Sequence, residues 1–131
     1  MNPKRSRIKP KARPKHTAAE DAYLSGITAL GCEACDIDEH PDTLAAVHHP
    51  RHDERGQNYG MGGRAPHKRG IPLCEGHHQG KVDTSKIAIH DDPLAFEARY
   101  GTEEELLART HRRLLARLRE ESIIPPLQRA G

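Results

Sequence analysis

Aromatic side chains are almost missing from this chain. Its 131 residues include one phenylalanine, three tyrosines and no tryptophan, and the mean hydropathy is −0.85. A large apolar core built on bulky rings is therefore excluded. Cysteine is scarce as well, and three of them cannot close into a full set of disulfides. No apolar run approaches the roughly 18 residues of a membrane helix, nor does one form the apolar centre of a signal peptide. These absences predict a single small domain with tails, cytosolic and away from membranes, whose cysteines stay reduced and available to metal. Something besides apolar burial must help to hold it together.

Acidic residues are absent from positions 1–16, which hold Lys4, Arg5, Arg7, Lys9, Lys11, Arg13 and Lys15. That segment carries +7, while the remainder, with 14 basic and 19 acidic residues, carries −5. A proline-containing stretch of one charge sign buries nothing, so a disordered arm is expected. Such an arm suits phosphate backbones, where each neutralised phosphate releases counterions; a merely solvated terminus is the alternative.

Helical signals frame the middle of the chain. Thr17-Ala18-Ala19-Glu20 has the form of a capping box, and Tyr23, Leu24, Ile27 and Leu30 recur at helical spacing up to Gly31. The spacing predicts a helix over about 18–30. Leu44 to Val47 reads as a short strand; Ile71-Pro72-Leu73 is too short to classify alone and is a candidate hairpin partner for it, with the proline at an edge. Between them, Gly56 to Gly70 carries five glycines and no helical period, which predicts a long loop. Asp92-Pro93 opens a two-turn helix that stops at Gly101. Thr102-Glu103-Glu104-Glu105 is a second capping box, opening a long helix to about Glu121 with Leu106, Leu107, Leu114, Leu115 and Leu118 inward. Its acids come first and its arginines, Arg109, Arg112, Arg113, Arg117 and Arg119, come last, so solvated charges matched to the helix dipole account for them, a DNA-facing row being the alternative.

Every cysteine falls in one of two knuckles. Cys32-x-x-Cys35 and Cys74-x-x-His77 lie about forty residues apart and together supply three sulfurs and an imidazole, a full tetrahedral set for a closed structural zinc. The second knuckle reads Cys74-Glu75-Gly76-His77-His78. A residue next to a zinc ligand at a helix start points elsewhere, so His78 needs other partners. Those on offer are His48, His49, His67 and His90, whereas His16, His40, His52 and His111 have no such setting. Ten histidines is high for this length, and an open site of two or three imidazoles plus waters is the form a catalytic divalent ion takes.

The motifs "AVHHPR" and "IPLCEGHHQGK" after a C-x-x-C resemble the HNH, or ββα-metal, endonucleases. More narrowly, "GMGGRAPHKRGIPLCEGHH" followed by "IAIHDDPLAFEARYGTEEELL" resembles the phage recombination-enhancement nucleases of the RecA-dependent type, over about residues 20–110. The resemblance implies a small α+β fold: a zinc-stabilised ββα-metal core with flanking helices and a basic N-terminal arm. It divides the chain into a flexible arm (1–16), a nuclease domain (17–122) and a tail (123–131). It also implies a phage or prophage protein in a bacterial cell that hydrolyses DNA during recombination, with recombinase-bound DNA among its substrates and a RecA-like filament as partner.

Residue by residue, the resemblance implies structural zinc on Cys32, Cys35, Cys74 and His77, with His77 replacing the usual last cysteine. It makes His48 a ligand of the catalytic ion, His49 the general base, His78 the helix ligand and His90 a third ligand or leaving-group contact. His67 stands where the narrower family often has an aspartate, and its role stays open among ligand, phosphate contact and neither. Arg69, five residues before Cys74, stands at the HNH middle position and cannot ligate a cation. The implied cofactors are Zn²⁺ for structure and Mg²⁺, Mn²⁺ or another divalent ion for catalysis, imidazoles favouring the softer ions. Arg51, Arg55, Arg64, Lys68 and Arg69 flank the site as candidate phosphate contacts. The residues alone also fit a non-catalytic, zinc-stabilised DNA-binding adaptor, or a metal store or sensor, although the latter leaves the basic arm without a purpose.

Overall fold

The computed structural model describes residues 16–40, 43–59 and 65–123. The arm with Lys4, Arg5, Arg7, Lys9, Lys11, Arg13 and Lys15, the loop residue Arg64, and the tail beyond residue 123 lie outside the described residues.

Helix α1 (Ala18–Leu30) begins with the full capping box, Thr17 Oγ1 accepting from Glu20 N and Glu20 Oε1 from Thr17 N. It delivers the chain into α2 (Glu33–Ile37), a short helix absent from the sequence expectation. Its N-cap is Cys32, whose sulfur accepts from Cys35 N at 3.4 Å. Thiolates are unusual caps, and propensity rules have no signal for a helix started by a metal knuckle.

Strand β1 (Ala46–His48) pairs antiparallel with β2 (Ile71–Leu73), with Ala46 opposite Leu73 and His48 opposite Ile71. Pro72 faces Val47 in this ladder, tolerated because both strands of a two-stranded sheet are edges. The loop before β2 tightens into a 3₁₀ turn at His67–Arg69. After β2 the chain enters α3 (Glu75–His78) with Cys74 as N-cap, completing the order strand, strand, helix. Gly76 is needed here for proximity: a Cβ would stand 2.7 Å from Lys86 Cδ, blocking the path of that side chain across the knuckle.

Helix α4 (Pro93–Tyr100) starts on Asp92, whose Oδ1 accepts from Ala95 N, and stops at Gly101 with φ 98°. Helix α5 (Glu103–Ile123) starts on Thr102, whose Oγ1 accepts from Glu105 N at 3.1 Å. The core is small: Ile71, Leu73, Ile89, Phe96, Leu106 and Leu107 close around the three buried cysteines. Among the described residues no helix is long and apolar enough to cross a membrane.

Two expectations for α5 are corrected. Leu115 and Leu118 are exposed, at 54% and 51%, so the apolar stripe ends near Leu114, beyond which the contact with α1 is polar, through Arg117. The helix runs on to Ile123, which leaves its last turn without a basic residue and puts the arginines mid-helix. Arg109 and Arg113 are not solvated there. They grip Glu33, which is fully buried, at 2.6 Å each, and Arg109 also reaches Asp36 at 2.7 Å. Arg113 and Arg117 donate to the carbonyls of Leu30 and Ala29, closing the end of α1 as a basic side chain does for orphan carbonyls. The long helix is thus bolted to the first knuckle.

Candidate metal centres

The four residues Cys32, Cys35, Cys74 and His77 are all buried and present their donor atoms to one point. Cys35 Sγ and Cys74 Sγ lie 3.7 Å apart, and the three sulfurs stand 3.3–3.5 Å from His77 Nδ1. Zinc–ligand bonds of ordinary length would make the edges of such a tetrahedron about 3.8 Å for S–S and about 3.5 Å for S–N. The donor set and its spacing therefore fit zinc.

What surrounds these donors fits as well. His77 Nε2 donates to Tyr100 Oη at 2.9 Å, and that hydroxyl donates to Asp38 Oδ2 at 2.5 Å, which leaves the Nδ1 lone pair facing the sulfurs. The Lys86 ammonium approaches Cys74 Sγ at 3.5 Å and Cys35 Sγ at 3.7 Å. A divalent ion on three thiolates and a neutral imidazole leaves one negative charge, and Lys86 is positioned to balance it. Burial, with the neighbouring thiols, pushes the Cys32 thiol up to about 12. At Cys74 burial acts upward too, but backbone and thiol hydrogen bonds and the Lys86 charge outweigh it and hold that thiol below its usual range. Three thiolates cannot share this space without a cation, so metal binding must expel protons.

A second cluster forms on the other side of the second knuckle. Nitrogens of His48, His78 and His90 all lie within 4.8 Å of one another. His78 Nε2 and His90 Nε2 are 3.0 Å apart, and two imidazole nitrogens at right angles on one ion are about 3 Å apart. The backbone arranges this, since Ile89 N bonds to His77 O and His90 N to His78 O, holding the residue-90 side chain beside that of residue 78.

His48 is fully buried. Its Nε2 lies 2.7 Å from Glu103 Oε2, and its Nδ1, also buried, has no hydrogen-bond partner among the described residues. A buried acceptor without a donor is costly, and a cation at the centre of three imidazoles would satisfy it. His78 is held neutral: burial, then the proximity of His48, His90 and His49, lowers its pKa to about 4. Burial, His48 and Arg51 lower His90 as well. Neutral imidazoles are what a metal requires. One adjustment is implied at His90, whose Nδ1 lies 2.7 Å from Arg51 Nη2. While that nitrogen accepts from Arg51, the ring proton sits on Nε2, so ligation through Nε2 requires the guanidinium to release it.

The remaining histidines divide differently from their sequence expectation. His49 Nε2 lies 3.1 Å from His67 Nδ1, and neither residue belongs to the three-imidazole cluster. His16, which the sequence left without a setting, stacks edge-on against His67 with centroids 4.5 Å apart. His52, likewise set aside, lies 3.3 Å from Glu103 Oε1. Glu103 was legible only as a helix-cap residue, yet it meets His48, His52 and the backbone N–H of Arg51.

A cleft of about 650 Å³ opens beside His48, bounded by Arg51, Arg55, Leu94 and Glu103. Arg69 is half-sequestered, ion-paired to Glu104 and Glu54 and donating to the His52 carbonyl. Lys68 is exposed on the 3₁₀ turn.

Comparison with known proteins adds one result. A family model described as recombination enhancement, RecA-dependent nuclease, matches residues 16–115. No curated protein matches the chain.

Proposed function

Because this chain belongs to the family of RecA-dependent nucleases of recombination enhancement, we propose that it hydrolyses DNA phosphodiester bonds by an HNH-type mechanism, with a divalent ion on His48, His78 and His90 and His49 as general base. The order β1, β2, α3 supports the HNH assignment, since it brings the strand histidines against the helix that carries His78. The observation that carries the reading is the buried, partnerless Nδ1 of His48 beside two imidazoles held neutral.

The ion would neutralise charge on the scissile phosphate and on the departing 3′ oxygen. The protein's own groups do the rest. In the tautomer that donates from His49 Nε2 to His67 Nδ1, the basic atom of His49 is its Nδ1, which takes the proton of the attacking water. Arg51, once released from His90, is the nearest guanidinium to the cluster and would bind a phosphate oxygen. Zinc on Cys32, Cys35, Cys74 and His77 does no chemistry, because the set is closed and buried. The basic arm, with Arg64 and Lys68, supplies sequence-independent contacts to the DNA backbone, and a RecA-like filament on that DNA is the partner the family implies.

The test is cleavage of single-stranded and duplex DNA, with and without a recombinase filament, in Mg²⁺, Mn²⁺ or chelator. Divalent-dependent cutting that is lost in His78→Ala is expected. Metal bound at both centres with no cutting under any condition would leave the adaptor reading instead.

A further inference from the structure

We infer that Glu103 is a positioning residue for the hydrolytic ion, fixing the tautomer of His48 so that its Nδ1 is the atom offered to metal. The inference rests on the reading of His48, His78 and His90 as an ion site.

Three consecutive glutamates open α5, and the structure gives each a different partner. Glu105 occupies the capping position, its N–H and carboxylate both meeting Thr102 Oγ1. Glu104 pairs with Arg69. Neither task is left for Glu103, whose carboxylate is turned inward with only 18% of its side chain exposed. One oxygen takes His48 Nε2 at 2.7 Å and Arg51 N at 3.1 Å, and the other faces His52 Nδ1 at 3.3 Å.

A carboxylate only accepts, so the hydrogen between it and His48 must sit on Nε2. His48 is fully buried, and a flip of its ring would give up the Nε2–Glu103 hydrogen bond. In the neutral ring Nδ1 then keeps its lone pair, and it is the nitrogen with no other partner among the described residues. A negatively charged partner on the far nitrogen also makes the imidazole a better donor to a cation. The carboxylate is itself held at a helix N-terminus, where the dipole favours its charge.

Mn²⁺ binding to the full zinc-loaded chain, followed by titration calorimetry and by Mn²⁺ paramagnetic resonance, tests this, with ¹⁵N imidazole shifts reporting the tautomer. In wild type the His48 ring should be protonated on Nε2. Glu103→Ala should lower Mn²⁺ affinity about 10- to 100-fold while retaining one zinc. Glu103→Gln, which keeps an acceptor but loses the charge, should fall between. A wild-type His48 protonated on Nδ1, or Glu103→Ala binding Mn²⁺ as wild type does, would overturn the inference while leaving the ion site standing. A wild-type protein that binds no second ion would overturn both.

Discussion

His77 and His78 are neighbours in the chain and belong to different clusters: Nδ1 of His77 lies 3.3 Å from Cys74 Sγ, whereas Nε2 of His78 lies 3.0 Å from Nε2 of His90. Successive residues of a helix point about 100° apart, so one turn of α3 addresses two centres at once. The buried side of that turn faces the proposed architectural centre, and the side toward His48 and His90 is where the proposed chemistry lies.

The architectural centre carries the first prediction. With one phenylalanine in the chain and a core gathered around three cysteines, zinc bound at this proposed centre would contribute its binding energy to folding. Cys74→Ser, or stripping zinc from the wild type with a strong chelator, should abolish the cooperative thermal transition seen by circular dichroism. A chelated protein that melts as the zinc-loaded one does would remove this centre from the account.

The Glu33 clamp predicts an asymmetry. Glu33 is fully buried, whereas Arg109 and Arg113 keep 28% and 22% of their side chains exposed. Taking away both arginines strands a charge without water, at a cost of about 3–5 kcal/mol. Taking away the carboxylate leaves two guanidiniums that can turn to solvent. Arg109→Met with Arg113→Met should therefore destabilise more than Glu33→Gln in urea unfolding. Equal losses would indicate that the clamp is packing rather than charge.

Much of this was legible in the sequence, and the pattern of success has a physical basis. The two knuckles, α1 with its cap, α4 between Asp92 and Gly101 and the start of α5 rest on local spacing, which a linear reading detects. Of the β1–β2 pair only the first run reads as a strand by itself, since Ile71-Pro72-Leu73 is too short to classify without the partner the fold gives it. What escaped was set by contacts across long separations: Glu103 with His48 at 55 residues and Arg109 with Glu33 at 76. A glutamate in a first turn looks like a dipole partner until its neighbour is known, and an arginine late in a helix looks solvated. His52 was passed over for the same reason. Leu115 and Leu118 have the period of buried residues, but no local rule says where the neighbours of a long helix stop.

Histidine burial sets a pH prediction. In the folded state His78 takes a proton only near pH 4, while in the unfolded chain it does so near its ordinary 6.5. Its contribution is thus fully present above about 6.5 and is lost as pH falls toward 4, because the unfolded state binds the proton first. His90 is shifted in the same direction. For zinc-loaded protein without a second ion, the fall in melting temperature between pH 6.5 and 4 should be shallower in His78→Gln than in wild type. Identical slopes would contradict the buried, neutral imidazole.

The chemical division between strand-end histidines yields a further prediction. His49→Ala should cut DNA about 10²- to 10⁴-fold more slowly, with zinc content, Mn²⁺ affinity and DNA binding retained, since its ring meets His67 rather than the His48 cluster. His48→Ala should lose Mn²⁺ affinity and cutting together. A His49→Ala protein of undiminished rate would assign the base elsewhere.

Two centres served by adjacent imidazoles are most directly tested by anomalous diffraction from crystals of the full chain grown with Zn²⁺ and soaked in Mn²⁺, recorded at both absorption edges. A zinc peak is expected among Cys32, Cys35, Cys74 and His77, with a separate manganese peak on His48 Nδ1 and the Nε2 atoms of His78 and His90. One peak shared by His77 and His78, or no density among the three imidazoles, would contradict it.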